Sequence, residues 1–391
     1  MNTSFEPGTL IELAIDAAAH GGDGVGRVSG LVCFVSGALP GDTVRARVDR
    51  RGPRAVWAHL EVLLEASPSR LASPPCPSGP CASACSWRAF AYPAQADWKR
   101  RIVADSLQRI GGLRVEVGWA EEPACRLGYR TRAAFHGDGA TVGYYARQSH
   151  TVIPMSSCPL NHDRLNTALG YLQETGLQGD VLVTVNPEGA ETLVWMDADH
   201  RVTRERFPLF NTPRDTTCHQ FLFDGAPIVN GVFSQSSLLL NRLLRERVCA
   251  CIGQPESLLD LYCGNGNFSL PYNPECKVLG IDHTRAAVNA AARLAPGAYL
   301  QGNETAMNAR LAGRDWDAVV LDPPRTGARA LTKALAGARA KKMVYVSCDP
   351  ATLARDLREI LSGGWTVTEV TAVDMFPHTP HVETVCLLER T

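Results

Sequence analysis

Ser257-Leu258-Leu259-Asp260-Leu261-Tyr262-Cys263-Gly264-Asn265-Gly266-Asn267 is an apolar run closed by two glycines. The run suits a buried strand, and Gly264 and Gly266 let the turn beyond it approach a ligand closely. Val278-Leu279-Gly280-Ile281-Asp282 follows as a second strand ending in a carboxylate. From residue 234 onward this rhythm continues. Strands are expected at 257–262, 278–282, 317–321 and 343–347, with helices at 235–251, 284–294, 328–340 and 351–361. The alternation predicts an α/β fold: a doubly wound, Rossmann-like, largely parallel sheet binding its ligand at the strand C-terminal ends. Two last strands, 365–374 and 382–389, flank a Pro-rich turn.

Asp282 ends its strand where an acid can accept hydrogen bonds from ribose hydroxyls. Ser269 stands where a phosphate-binding G-x-G-x-x-G would place its third glycine. A pyrophosphate cradle is therefore incomplete, which favours S-adenosylmethionine (SAM) over a dinucleotide. Val319-Val320-Leu321-Asp322-Pro323-Pro324-Arg325 delivers Asp322 to the same sheet edge, and the prolines stiffen the turn beyond it. An acid there lines the gap between a methyl donor and its acceptor.

Val344-Tyr345-Val346-Ser347-Cys348-Asp349-Pro350 is a strand that stops at a thiol. Phe376-Pro377-His378-Thr379-Pro380-His381-Val382-Glu383 supplies a carboxylate after it. Thiol and acid make a nucleophile-and-base pair. The carbon C5 of a pyrimidine attacks a sulfonium methyl poorly. A thiolate added at C6 makes C5 carbanion-like, and a base must afterwards remove the C5 proton. Cys348 and Glu383 fit those roles. The competing reading of Cys348 is a small core residue. A helix starting at Pro350 is expected to lower the thiol's pKa.

Upstream, residues 120–230 alternate as strands do, with helical content around 160–174, and form a β-rich central region. Within 91–115, Trp98, Ile102, Leu107 and Ile110 share one side of a helix that Gly111-Gly112 ends. Residues 66–90, rich in Pro, Ser and Cys, read as a loop. Residues 1–65 show short strands punctuated by Gly and Pro, the pattern of a small β-barrel. Arg45, Arg47, Arg50, Arg51 and Arg54 concentrate positive charge near its end. They form either a solvated face or an RNA-binding one.

A chain of 391 residues accommodates two or three domains. It contains neither an apolar run of membrane-spanning length nor a basic-then-apolar leader, so a cytoplasmic protein without a membrane partner is expected. The net charge of −1 decides nothing about nucleic acid, since positive charge can be local. In that compartment its 13 cysteines are ligands, nucleophiles or core residues rather than disulfides.

Four stretches in order, Asp260–Pro271, Leu321–Gly327, Val344–Leu357 and Asp374–Glu383, resemble the RNA uracil-5-methyltransferase family, which forms 5-methyluridine in ribosomal or transfer RNA. The resemblance covers almost the whole chain, and residues 1–65 resemble a TRAM domain, an RNA-binding barrel of OB-like type. It implies catalysis by residues 231–391, with Cys348 as nucleophile, Glu383 as general base and Asp322 helping to hold the uracil. It further implies SAM contacts from Gln235, Tyr262, Asn267, Asp282, Asn303 and Asp322, beside the Gly264–Gly266 turn. Asp282 stands where the family usually has Glu, Ser237 where it has Asn, and Asp349 where it has Asn. An acid beside the thiol tends to raise its pKa.

Family members often bind a four-iron four-sulfur cluster through three loop cysteines and one distant one. Cys76, Cys81, Cys85 and Cys158 match that set, with the middle cysteine displaced. Four thiolates also suit zinc. The expected enzyme is a monomer that flips a uridine out of folded RNA. Arg130, Arg132, Tyr144 and Tyr145 are candidates to grip phosphates and bases. Ribosomal RNA is the favoured substrate, and transfer RNA is the alternative. A catalytically silent RNA-binding or ribosome-assembly protein is a further alternative, against which the intact Cys348, Glu383 and SAM loop speak. An RNA cytosine-5-methyltransferase would place a second cysteine after the acid-Pro-Pro segment, where this chain has Arg325.

Overall fold

The computed structural model describes residues 5–76, 85–146 and 149–390. They divide into two compact units, Met1–Ile102 with Phe376–His381 and Val103–Met375 with Val382–Thr391.

In the first unit, β1 (Leu10–Ala18), β2 (Gly24–Val28), β3 (Leu31–Ser36), β4 (Thr43–Arg51) and β5 (Ala55–Glu65) close into a barrel in the order β1-β2-β3-β5-β4. Strict alternation drives this closure. Ile11, Leu13 and Ile15 of β1 point inward with Cys33, Val35, Val44, Ala46, Val48, Val56 and Ala58, while the intervening residues face out. Asp42, 1% exposed, accepts from the Leu39 and Ser67 amides at 2.7 and 2.9 Å and pairs with Arg70 at 2.5 Å. That carboxylate fastens the chain beyond β5 to the barrel. Not all the barrel's arginines are free cations: Arg45 pairs with Glu12 at 2.6 Å and Arg47 with Glu61 at 2.7 Å.

Helix α1 (Tyr92–Gly111) begins in the first unit, where Trp98 and Ile102 pack with Trp87, Phe90 and Leu39. Its later residues Val103 and Leu107 belong to the core of the second unit. In the first unit the turn carrying His378 (φ 66°) is held by Gln95, whose Oε1 accepts from the His378 amide at 2.8 Å. The buried Lys99 donates to the Phe376 carbonyl at 3.0 Å.

The second unit opens with β6 (Gly118–Ala120). Its central layer comprises β7 (Arg132–Asp138), β8 (Val142–Tyr145), β9 (Val152–Pro154), α2 (Asp163–Gln173), β10 (Gln178–Val185), β11 (Thr192–Trp195), α3 (Arg201–Arg206) and β12 (Leu209–Asn211). Those strands pair in the order β12-β11-β10-β7-β8-β9. The buried side of α2, Leu165, Ala168, Leu169 and Leu172, packs on Phe135, Val181 and Val183. A hairpin of β13 (Gln220–Phe223) and β14 (Ala226–Val229) follows.

The rest alternates: α4 (Leu238–Ile252), β15 (Ser257–Leu261), β16 (Lys277–Asp282), α5 (Arg285–Leu294), β17 (Tyr299–Gln301), α6 (Glu304–Gly313), β18 (Trp316–Leu321), α7 (Thr332–Gly337), β19 (Ala340–Ser347), α8 (Pro350–Ile360), β20 (Trp365–Val373) and β21 (Glu383–Arg390). One eight-stranded sheet runs β17-β16-β15-β18-β19-β21-β20-β6. Its first five strands are parallel, and β21 is antiparallel to both neighbours. The expected doubly wound fold is present, with a mixed edge. Leu259, Leu261, Val319, Leu321, Met343 and Tyr345 form its buried centre. Chain order reverses between β15 and β18, so their C-terminal ends open the crevice where such folds bind ligands. No helix among the described residues is long and apolar enough to cross a membrane.

Candidate active site

The residue after β15, Tyr262, has φ 58°, a left-handed backbone that costs a bulky residue about 1–3 kcal/mol. Gly264 and Gly266 follow at φ 52° and 81°. A β-carbon on Gly266 would meet Leu270 at 2.7 Å and the Tyr299 hydroxyl at 2.8 Å, whereas the space beside Gly264 is open. Asp282, at the end of β16, accepts from the Gly264 amide at 3.0 Å and the Thr284 amide at 2.7 Å. It therefore braces the glycine turn while each oxygen keeps a lone pair for a ligand.

Ser269, which displaced the third glycine of the sequence pattern, has a structural task. Its hydroxyl donates to Asp260 at 2.6 Å and lies 2.9 Å from the Tyr299 hydroxyl. The other Asp260 oxygen is buried with no partner among the described residues. Burial pushes the Asp260 carboxyl up to about 8. Asn267 pairs reciprocally with Asn241 of α4, at 2.8 and 3.1 Å. Asn303 caps α6, accepting from the Ala306 amide at 3.3 Å. Gln235 is half-buried, between Ser234, which accepts from Arg132 at 2.9 Å, and Ser237, which caps α4 by accepting from the Leu240 amide at 3.0 Å. Ser237 thus supplies the cap that Asn would supply.

Asp322, one residue past β18, lies at this same edge. So do Cys348, one residue past β19, and Glu383, the first residue of antiparallel β21. Ser347 is opposite Thr384, so Cys348 and Glu383 are the next residue on each strand, and the Glu383 charge acts on the Cys348 thiol. Cross-strand neighbours have Cβ atoms about 5 Å apart, so the topology juxtaposes thiol and carboxylate. Cys348 is partly exposed and Glu383 is 4% exposed. One Glu383 oxygen, Oε2, is sealed from solvent with no partner among the described residues.

Electrostatics here runs against one sequence expectation. Burial and then the Glu383 charge push the Cys348 thiol up to about 11, with smaller contributions from Asp322 and Asp349 and an opposing one from Arg325. The start of α8 does not lower it as expected, because burial and the carboxylate charges outweigh it, and the Asp349 carboxylate accepts from the Ala351 and Thr352 amides at 3.0 and 2.9 Å. Those donors are spent on the cap. Glu383 is held well above the usual carboxylate range by burial and by Asp322. Desolvation takes Asp322 up to about 7. The edge is thus a proton-rich cluster of one thiol and two carboxyls, with Arg325 as its cation. Arg325 carried no signal beyond its place after Pro324; the charges gathered around it show its role.

Asp282 and Asp322 lie at the sheet edge beside a glycine turn with open space, while the buried Asp260 braces that turn from beneath through Ser269. This fits SAM, whose ribose suits Asp282. Of the cysteine set, Cys76 and Cys85 belong to the first unit and Cys158 to the second, while Cys81 lies outside the described residues. Among the described residues no group of three His, Cys, Asp or Glu side chains gathers into a metal site. Cys158 is buried, and the Arg130 guanidinium interacts with it favourably. A buried cation of that kind favours a thiolate ligand.

The residues expected to grip RNA are mostly occupied within the second unit. Arg130 is buried against Tyr129 and Tyr144, Arg132 donates to the Ser234 hydroxyl, and the Tyr144 hydroxyl donates to Asn161 at 3.0 Å. Tyr145 instead stacks on His136, ring centroids 3.5 Å apart, on a more exposed face.

Comparison with known proteins agrees with this geometry. The family described as tRNA (Uracil-5-)-methyltransferase matches residues 225–296 and 304–391, and the TRAM domain matches 5–54. The chain is 32% identical to the 23S rRNA (uracil(1939)-C(5))-methyltransferase RlmD of Pseudomonas putida, over 96% of this chain and 93% of that one. It is 31% identical to the protein of the same description in Pseudomonas entomophila, over 99% and 95%. In fold it matches the Pyrococcus abyssi tRNA (uracil-54, C5)-methyltransferase solved with S-adenosyl-L-homocysteine: TM-score 0.75, 22% identity, 97% of this chain and 100% of that one. With that likeness along its whole length, the chain belongs to the family of SAM-dependent RNA uracil-5-methyltransferases.

Proposed function

We propose that this enzyme forms 5-methyluridine in 23S ribosomal RNA through a covalent bond between Cys348 and C6 of a flipped uracil. The observation that carries the mechanism is the pairing of Ser347 with Thr384, the chain neighbours of Cys348 and Glu383, together with the Glu383 charge acting on the thiol at the ligand edge of the sheet. The ribosomal substrate is supported by the two Pseudomonas relatives, which carry that description and align along nearly their full length.

SAM supplies an electrophilic methyl group. As the Cys348 sulfur bonds to C6, its proton passes to a neighbouring carboxylate. Asp322, titrating at about 7, is suited to receive it. The ring's electron pair then moves to C5, which takes the methyl as the sulfur–methyl bond breaks and S-adenosylhomocysteine leaves with that bond's electron pair. Glu383 removes the remaining C5 proton, and the returning electron pair expels the thiolate. The raised pKa of Glu383 makes it a stronger base than an exposed glutamate once it is ionised. Gln235, Tyr262, Asn267, Asp282 and Asn303 would hold SAM beside the glycine turn.

Cys76, Cys81, Cys85 and Cys158 are proposed as thiolate ligands of a four-iron four-sulfur cluster, with zinc as the competing metal. The reaction transfers no electrons, so the cluster's role would be structural or in RNA binding.

The test is mass-spectrometric mapping of 5-methyluridine in ribosomal and transfer RNA from a strain lacking this gene. Loss of one site in 23S rRNA is expected, restored by the wild-type gene and not by Cys348→Ala. Loss confined to transfer RNA would overturn the substrate, and restoration by Cys348→Ala would overturn the mechanism.

A further inference from the structure

We infer that the outer face of the first unit's barrel holds a stacking site for an unpaired nucleobase of the RNA substrate, built from Phe34, Trp57 and Arg50. The inference rests on the reading of the chain as an RNA enzyme and adds where, and by what chemistry, the barrel grips. Phe34 on β3 is the register partner of Trp57 on β5, and Trp57 is the partner of Arg50 on β4. Cys33, Val35, Val56 and Ala58, the chain neighbours of Phe34 and Trp57, fill the barrel core. The two rings therefore lie outside. They are stacked, with centroids 5.8 Å apart and planes 20° apart, and the Arg50 guanidinium carbon sits 3.4 Å from the Trp57 ring centroid.

Three planar groups thus form a layered stack across adjacent strands, each half-buried or exposed. Bases stack on such aromatic and guanidinium planes without regard to sequence. Gly52 leaves room for the indole, since a β-carbon there would come within 3.0 Å of it.

Charge also marks this patch. The Arg45 and Arg47 charges are neutralised by Glu12 and Glu61, and His59 lies 2.6 Å from Asp49. Among the described residues Arg50, Arg51 and Arg54 make no ion pair. The uncompensated positive charge lies at the β4–β5 turn, beside the stack, where a phosphate flanking the stacked base would meet it.

Binding of the full-length protein to single-stranded oligoadenylate, followed by anisotropy across a salt series, tests the site. This probe has no uridine, so its readout is independent of methylation. Trp57→Ala should weaken binding about tenfold and leave the salt dependence unchanged, with Trp57→Phe close to wild type. Arg50→Gln should weaken it and lower the salt slope by about one, and Arg45→Gln should do neither. Wild-type affinity in Trp57→Ala would overturn the site, as would equal losses in Trp57→Ala and Trp57→Phe or in Arg45→Gln and Arg50→Gln. Oligoadenylate binding with the expected pattern, in a protein that methylates no RNA, would leave the site standing and remove the functional reading.

Discussion

The Cys348 thiol should be almost wholly protonated in the ligand-free enzyme. At about 11, its thiolate fraction at pH 7.5 is about 3 × 10⁻⁴, against about 0.1 for a free cysteine. Because the thiolate is the reacting form, alkylation at Cys348 should be roughly 300-fold slower than that of a free thiol. Partial exposure of Cys348 means that ionisation, rather than access, is the main brake. The assay is iodoacetamide labelling across pH 6.5–9.5, with the Cys348 peptide quantified by mass spectrometry. Its rate should still climb about tenfold per pH unit at pH 9, where a free thiol has begun to level off. Arg325→Gln, which removes the one stabilising charge, should slow labelling by several-fold. Asp349→Asn, which keeps the helix cap, should speed it slightly. Labelling at the free-thiol rate at pH 7.5 would refute the reasoning, because burial and the two carboxyls would then not govern the thiol.

Asp260→Asn should stabilise the protein increasingly as pH rises. Well below pH 4 both folded and unfolded chains hold the Asp260 proton. Between about 4 and 8 only the folded chain does, so wild-type stability falls by up to about 5 kcal/mol while the amide does not titrate. Urea denaturation at pH 5 and 8.5 should show the gap widening, and a constant gap would count against it. Gly266→Ala should lower stability by about 1–3 kcal/mol and abolish SAM binding by calorimetry, since both the φ of 81° and the Leu270 contact oppose a β-carbon. Anaerobically purified protein should contain iron and acid-labile sulfide that Cys158→Ser loses; zinc without iron would reject the cluster.

Long apolar strands made the catalytic fold legible. Expected strands at 257–262, 278–282, 317–321 and 343–347 lie within about three residues of β15, β16, β18 and β19 at every boundary. What escaped was short or weakly patterned. β17 has three residues, including the exposed Leu300, and α6 buries only Met307 and Leu311. The hairpin Gln220–Val229 gave no strong alternation. An expected helix at 328–340 shrinks to Thr332–Gly337, because the Ala-rich stretch after it turns into β19. At the site, residue types and strand ends marked Cys348, Glu383, Asp322 and Asp282. Of their electrostatics only the effect of Asp349 beside the thiol was legible, because the burial of Cys348 and the crowding of Asp322 and Glu383 arise only when distant strands meet.

Covalent trapping is the most direct test of the central claim. RNA containing 5-fluorouridine, mixed with SAM and the enzyme, should give a stable protein–RNA adduct, because fluorine at C5 leaves Glu383 no proton to remove. Tandem mass spectrometry should place the bond on Cys348, and Cys348→Ala should form none. An adduct that persists in Cys348→Ala, or that maps to another cysteine, would contradict the account.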